Sequence, residues 1–144
     1  MSGLRPKIGV GIIVIRLNND TREVMLHQRV ESFGQGYWGS GGGHLENGES
    51  LEGAVLRELA EEAGNDLKVK NLRLHGLYNF IDLMPKHYVD ITFVADWESG
   101  EPQNASPGET SEWQWFDINN LPSPLFPPLK KYLEGFDDNA ILYH

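Results

Sequence analysis

The chain has 144 residues, 40% of them apolar, and a formal net charge of −9. This supports one domain over residues 1–144 with a single core, excludes a disordered chain, and argues against a grip on long DNA or RNA. There is no cysteine, which excludes disulfides, thiolate zinc sites and cysteine nucleophiles, and fits a cytoplasmic protein.

Residues 1–7 are short and polar. Arg5 and Lys7 precede an apolar run at 8–15, but that run is too short to span a bilayer and no small-residue cleavage site follows. Neither a membrane partner nor a signal peptide is expected. Residues 8–16, rich in Val and Ile, read as a buried strand; 18–22 read as a turn and 23–29 as a returning strand. In 32–48 glycine recurs seven times among 17 residues, which implies backbone where side chains would not fit.

Residues 49–63 read as a helix, with Ser50 as N-cap, Gly64 as its stop, and Glu49 and Glu52 at the positive end of its dipole. Segments 69–81 and 88–97 read as extended, joined by a turn holding Met84 and Pro85. A polar loop follows at 98–109, then a short strand at 113–116. Its Trp113 and Trp115 suggest one ring toward the core and one toward a pocket or dimer surface. The last helix is expected over 125–133, starting near Pro127 and Pro128. Strands on both sides of one helix, with a late second helix, predict a mixed α/β sandwich.

On the first helix, taking Glu58 as zero, Glu61 and Glu62 fall about 60° and 40° to either side. Three carboxylates then share one stripe, while Val55, Leu56, Leu59, Ala60 and Ala63 lie mainly on another arc. Like charges so spaced repel, by a few tenths of a kcal/mol per pair. Such a stripe either faces water or holds a hard cation such as magnesium.

The wider spacing decides between those two. From Gly43 the chain runs through five residues to Glu49, seven more to Arg57-Glu58-Leu59, then Glu61-Glu62 and Gly64. Seven fixed residues at roughly 7% each agree by chance on the order of 10⁻⁸ times per starting point. The pattern resembles the Nudix box, Gx5Ex7REUxEExGU with U aliphatic, over Gly43 to Asn65. Asn65 is the one departure, since it stands where the family has an aliphatic residue. The flanking Arg29, Gly41-Gly42-Gly43-His44-Leu45-Glu46, His87-Tyr88-Val89 and Glu112-Trp113-Gln114-Trp115-Phe116 are similar to the MutT-type branch. There Leu-Pro usually precedes Gly-Gly; here Ser40-Gly41 replaces it.

The resemblance implies an α/β/α sandwich with a mixed sheet, and Mg²⁺-dependent hydrolysis of a nucleoside diphosphate linked to a group X, with Mn²⁺ as an alternative ion. It implies Glu58 and Glu62 as metal ligands, Glu61 sharing a further ion, and the Gly43 carbonyl completing the shell. Glu61 is the first candidate for the base, with a loop acid before Trp113, Glu109 or Glu112, as the alternative. Arg57 and Glu49 are expected to pair and tie the loop to the helix. Arg29 matches a phosphate-contacting arginine of the branch, or is an exposed charge at a strand end. His44 touches substrate or caps the loop. Tyr88, Leu125 and Phe126 are, by position, the base-pocket candidates.

The leading reading is hydrolysis of a (deoxy)nucleoside triphosphate to the monophosphate and pyrophosphate. The ADP-ribose or nucleotide-sugar reading is disfavoured by the lack of a proline at 79–82. A non-catalytic nucleotide sensor would have lost box carboxylates, and all are present. Branch members are often dimers, so a homodimer is among the states the resemblance admits.

Overall fold

The computed structural model describes residues 5–31, 34–81, 87–137 and 140–143. The expected turn at Met84 and Pro85 lies outside the described residues. β1 (Lys7–Asn18) turns at Asn19, which takes a positive φ of 55°, into β2 (Thr21–Gln28). β3 (Trp38–Gly39), β4 (Gly41–His44) and α1 (Leu51–Ala63) follow. β5 (Lys68–Phe80), β6 (Tyr88–Ser99), β7 (Gln114–Asp117), α2 (Pro127–Leu133) and β8 (Leu142–Tyr143) complete the chain.

The strands form one mixed sheet in the order β3-β2-β1-β6-β5-β8, with β7 on β2 and β1 parallel to β6. β1 forks along one edge. Its residues 15–18 pair with β2, and its residues 9–12 pair with β4. A helix covers each face, giving the expected α/β/α sandwich.

Alternation along β1 assigns the faces. Val10, Ile12 and Val14 join Val55, Leu59 and Ala63 of α1 in one core, while Ile13 and Ile15 join Leu129, Tyr132 and Leu133 of α2 in the other. Continuing the α2-facing parity toward the start of β1 reaches Gly11 and Gly9. Two missing side chains there leave a hollow between sheet and α2.

Ser50 caps α1 by accepting from the Gly53 N–H at 3.0 Å, and Gly64, with φ 86°, ends it. The packed face of α1 is Ala54, Val55, Leu59, Glu62 and Ala63. Leu56, expected in the apolar arc, is 43% exposed, and Glu62 is buried in the place expected to be charged and open. Asn65 is exposed, and Leu67 enters the core two residues later, so the departure from the box pattern leaves no hole.

Other expectations shift by a few residues. The glycine segment yields two short strands, because a glycine backbone still makes ladder hydrogen bonds with β1 and β2. α2 starts at Pro127 and not at 125, since Phe126 precedes a proline and is held extended at ψ 131°. Trp113 and Trp115 do not face opposite ways: residues two apart share a face, and both rings pack on the α1-side core. No helix among the described residues is long and apolar enough to cross a membrane.

Candidate active site

A cleft of about 520 Å³ opens over the glycine hollow. α1 supplies Glu58, Glu61 and Glu62 to it, β4 supplies Gly41 to His44, and α2 closes the other side with Pro128, Leu129 and Tyr132. Glycine is required at the corner where β4 meets α1, since a Cβ on Gly43 would overlap the Glu58 carboxyl.

Arg57 organises the acidic corner. Its Nε and Nη2 donate to Glu49 at 2.6 and 2.9 Å, its Nη1 donates to Glu58 at 2.9 Å and Glu61 at 3.3 Å, and Nη2 also reaches the His44 carbonyl at 3.1 Å. The two-pronged Arg57–Glu49 pair therefore ties the segment before the helix to the helix itself. Arg57 holds the Glu49 carboxyl down at about 2, and the Glu49 oxygens in turn raise the guanidinium.

Glu62 is 5% exposed and accepts from the Gly42 N–H at 2.8 Å. Burial pushes its carboxyl up to about 8, against the Gly42 hydrogen bond, and the charges of Glu58 and Glu109 add to the rise. Glu58 is raised too, by burial first, with Arg57 opposing. Two neighbouring carboxyls are therefore costly to ionise, and a nearby cation would favour their charged forms.

The donor set fits a hard divalent ion. Seven acidic side chains line the cleft against two arginines, and Arg57 is already engaged by carboxylates. Among the described residues no three acidic or histidine side chains converge as a closed cage. Arg57 draws Glu58 and Glu61 to itself, and Gly42 draws Glu62. This suits Mg²⁺, which takes one or two carboxylates and leaves its other positions to water and phosphate. The Gly43 carbonyl lies on the cleft wall, 3.9 Å from where a Gly9 Cβ would stand.

Of the other expected residues, Arg29, His44, Tyr88, Phe126 and Glu109 line the cleft. The Arg29 guanidinium lies 4.4 Å over the Phe126 ring and 3.6 Å from Glu31. His44 stacks on Tyr88 with ring centroids 5.7 Å apart, and its Nε2 is 3.1 Å from the Tyr88 hydroxyl. Leu125 and Glu112 are not in the cleft. Leu125 bridges to Trp38 and turns into the α2-side core. Thr110 bridges to Arg29, which holds Glu109 at the cleft, and by Glu112 the chain has moved on along β2.

That loop is also what caps α1. Gln103 and Ala105 donate backbone N–H to the carbonyls of Ala63 and Glu62, and the Trp113 indole donates to Glu62 at 3.1 Å. A loop read as plain surface therefore satisfies the helix end and positions an acid.

Sequence reasoning missed His27, Phe80, Asp90, Thr92 and Tyr132, all on the cleft wall. His27 is buried, its imidazole lowered to about 4 by desolvation and so neutral. Its Nε2 lies 3.3 Å from the Ser40 carbonyl, so that nitrogen carries the hydrogen. Asp90 and Thr92 had one legible signal: both interrupt, at the α2-facing parity, the apolar first half of β6.

The NUDIX domain family model matches residues 7–136. The chain belongs to this family. An ADP-ribose pyrophosphatase of Methanocaldococcus jannaschii is 35% identical over 124 residues, 85% of this chain and 69% of that protein. An oxidized purine nucleoside triphosphate hydrolase of Danio rerio is 36% identical over 100 residues, 69% of this chain and 61% of that protein. The NUDIX domain described here thus spans about two thirds of the length of these curated relatives. Among solved structures, a MutT NUDIX hydrolase from Burkholderia pseudomallei superimposes with a TM-score of 0.79 at 29% identity, covering 90% of this chain and 97% of that one.

Proposed function

We propose that this NUDIX domain hydrolyses a phosphoanhydride bond in a nucleoside diphosphate linked to X, with a (deoxy)nucleoside triphosphate cut to the monophosphate and pyrophosphate as the leading case. The observation that carries the reading is the imbalance of the cleft: seven acids against two arginines line it. A polyanion enters such a cleft only with a divalent cation.

Glu58 and Glu62 would hold Mg²⁺, with Glu61 sharing a further ion and the Gly43 carbonyl at the edge of the shell; Mn²⁺ satisfies the same oxygen donors. When bound, the ion offsets the negative charge with which phosphate oxygens repel an incoming water. Arg29, braced on Phe126, meets the phosphates from the opposite wall. A carboxylate takes a proton from the water as its oxygen bonds to phosphorus, and the anhydride P–O bond breaks toward the leaving phosphate. Glu61 and Glu109 are the two candidates. Arg57 holds the Glu61 carboxyl at 3.3 Å, whereas Glu109 lines the cleft with no ion pair to its carboxyl among the described residues and leaves its oxygens open to a water, which favours Glu109. The lack of cysteine fits action in the cytoplasm.

A second reading, hydrolysis of ADP-ribose or a nucleotide sugar, is favoured by the archaeal relative named ADP-ribose pyrophosphatase. A substrate panel with Mg²⁺ separates the two. Pyrophosphate released from nucleoside triphosphates supports the leading case. Turnover confined to ADP-ribose or nucleotide sugars replaces it, and no turnover of either class leaves a nucleotide-binding domain.

A further inference from the structure

Away from the glutamates, the cleft has a second polar feature whose hydrogen bonding is incomplete. Asp90 lies on β6 at the α2-facing parity. Its Oδ2 accepts from the Thr92 hydroxyl at 2.7 Å and from the Tyr132 hydroxyl at 2.9 Å. Both lone pairs of that oxygen are used. Oδ1 has no donor among the described residues, and it stands 3.6 Å from where a Gly9 Cβ would be, beside the space that glycine leaves. That oxygen borders the cleft, where a bound molecule can reach it.

The surroundings say what belongs there. Phe80, Tyr88, Leu129 and Tyr132 make this end aromatic and apolar, which suits a flat ring and not a phosphate. Gly9 pairs with His44 on one side and Asp90 on the other. Asp90 is therefore two strand spacings, about 10 Å, from the β4 corner where the phosphates would sit. That matches the base end of a nucleotide better than its sugar.

We propose that Asp90 reads the nucleobase: Oδ1 accepts from an exocyclic amine, so the site prefers adenine, guanine or cytosine to the hypoxanthine or uracil that lacks the amine. The inference rests on the nucleotide reading of the cleft. Because Thr92 and Tyr132 fix the Oδ2 position as an acceptor, an asparagine at 90 must place its carbonyl there and its NH₂ in the cleft. Asp90→Asn then turns an acceptor into a donor with no change of shape.

The test is calorimetric binding of nucleoside monophosphates in three matched pairs: AMP and IMP, GMP and IMP, CMP and UMP. In the wild type, the amine-bearing member of at least one pair should bind severalfold to about tenfold more tightly, the worth of one hydrogen bond, since burial raises the Asp90 carboxyl and opposes its full charge. In Asp90→Asn that preference should vanish or invert. Equal binding within every wild-type pair, or a preference kept intact by Asp90→Asn, overturns the proposal. Should Asp90→Asn fail to fold, Tyr132→Phe releases one of the two anchors and should shrink the preference severalfold; an unchanged preference there counts against it equally. Monophosphate binding needs no turnover. If the substrate panel fails while the preference responds to Asp90, the reaction falls and the base reading stands. If hydrolysis proceeds with no preference, the base reading falls alone.

Discussion

At one end of the cleft, α1 and β4 gather Glu58 and Glu61 on Arg57 and Glu62 on the Gly42 N–H, and Glu62 is so desolvated that its carboxyl rises to about 8. At the other end, Asp90 is bonded by two hydroxyls among aromatic walls. The first end is electrostatically unfavourable as it stands and becomes favourable when a cation arrives. The second is desolvated as well, and burial raises the Asp90 carboxyl, but two hydroxyls already donate to it and one oxygen is left for a further donor. Local conflict concentrated where chemistry is expected, beside local consistency where recognition is expected, is how a functional cleft differs from a packing defect.

The largest effect should come from removing the conflict. Glu62→Gln keeps an oxygen for the Gly42 N–H but cannot supply a carboxylate to a cation. Turnover should fall by roughly 10²–10³-fold or more, the scale for losing one electrostatic element of a transition state, and chelation of metal should abolish it. Wild-type rates in this variant would remove Glu62 from the site. The same substitution has a signature without metal. The folded protein keeps the Glu62 proton until about pH 8, whereas an unfolded chain releases it near 4.5. Stability from the protonated form is full below about 4.5 and is lost as pH rises through about 8. Metal-free wild type should therefore weaken over that window by an amount on the order of a few kcal/mol that Glu62→Gln does not show, and added Mg²⁺ should reverse the trend. Denaturant melts at pH 5 and pH 8.5 measure it.

The two ends also differ in how far the sequence discloses them. Gly43, Glu49, Arg57, Glu58, Glu61 and Glu62 lie within one short stretch, and helical geometry alone brings the three glutamates onto one edge. The far end takes Gly9 from β1, Phe80 from β5, Asp90 from β6 and Tyr132 from α2. No local spacing joins those residues; only the parallel β1–β6 register and the docking of α2 do. β1, β2, β5, β6, β7 and both helices were legible, while β3 and β4 in the glycine segment and β8 at the end were not, and Leu56 and Glu62 exchanged their expected exposures. Angle around a helix axis does not say how far a neighbouring strand wraps it. Leu125 and Phe126 were indistinguishable by position, and one extended step before Pro127 sends the first to the core and the second to the cleft.

The loop acids sharpen the chemistry of the charged end. Glu109→Gln should lower kcat by about 10²-fold with KM little changed, the low end of the range for loss of a general base, while Glu112→Gln should leave both near wild type. A larger loss in Glu61→Gln than in Glu109→Gln, at saturating Mg²⁺, would return the base to α1. Next in size is Arg57→Lys. An ammonium cannot reproduce the two-pronged bond to Glu49 while also meeting Glu58 and Glu61. Activity should drop about 10–100-fold, the range for partners that orient metal ligands, and the Mg²⁺ concentration at half-maximal rate should rise with it.

The smallest expected change comes from one methyl group at the recognition end. A Cβ on Gly9 would meet Asp90 Oδ1 at 3.6 Å and Tyr88 at 3.8 Å, both ordinary contacts, so the empty protein has room for it. Gly9→Ala should be neutral or stabilising by up to ~1 kcal/mol, since alanine narrows the unfolded ensemble. The same methyl would stand between the sheet and any ring resting on it, so KM for nucleotides should rise severalfold while kcat changes little. Gly11→Ala is the contrast: its Cβ would come within 2.8 Å of the Thr92 hydroxyl and should cost stability as well. A Gly9→Ala protein that is destabilised but binds nucleotide normally would mean that the glycine serves the fold and not the ligand.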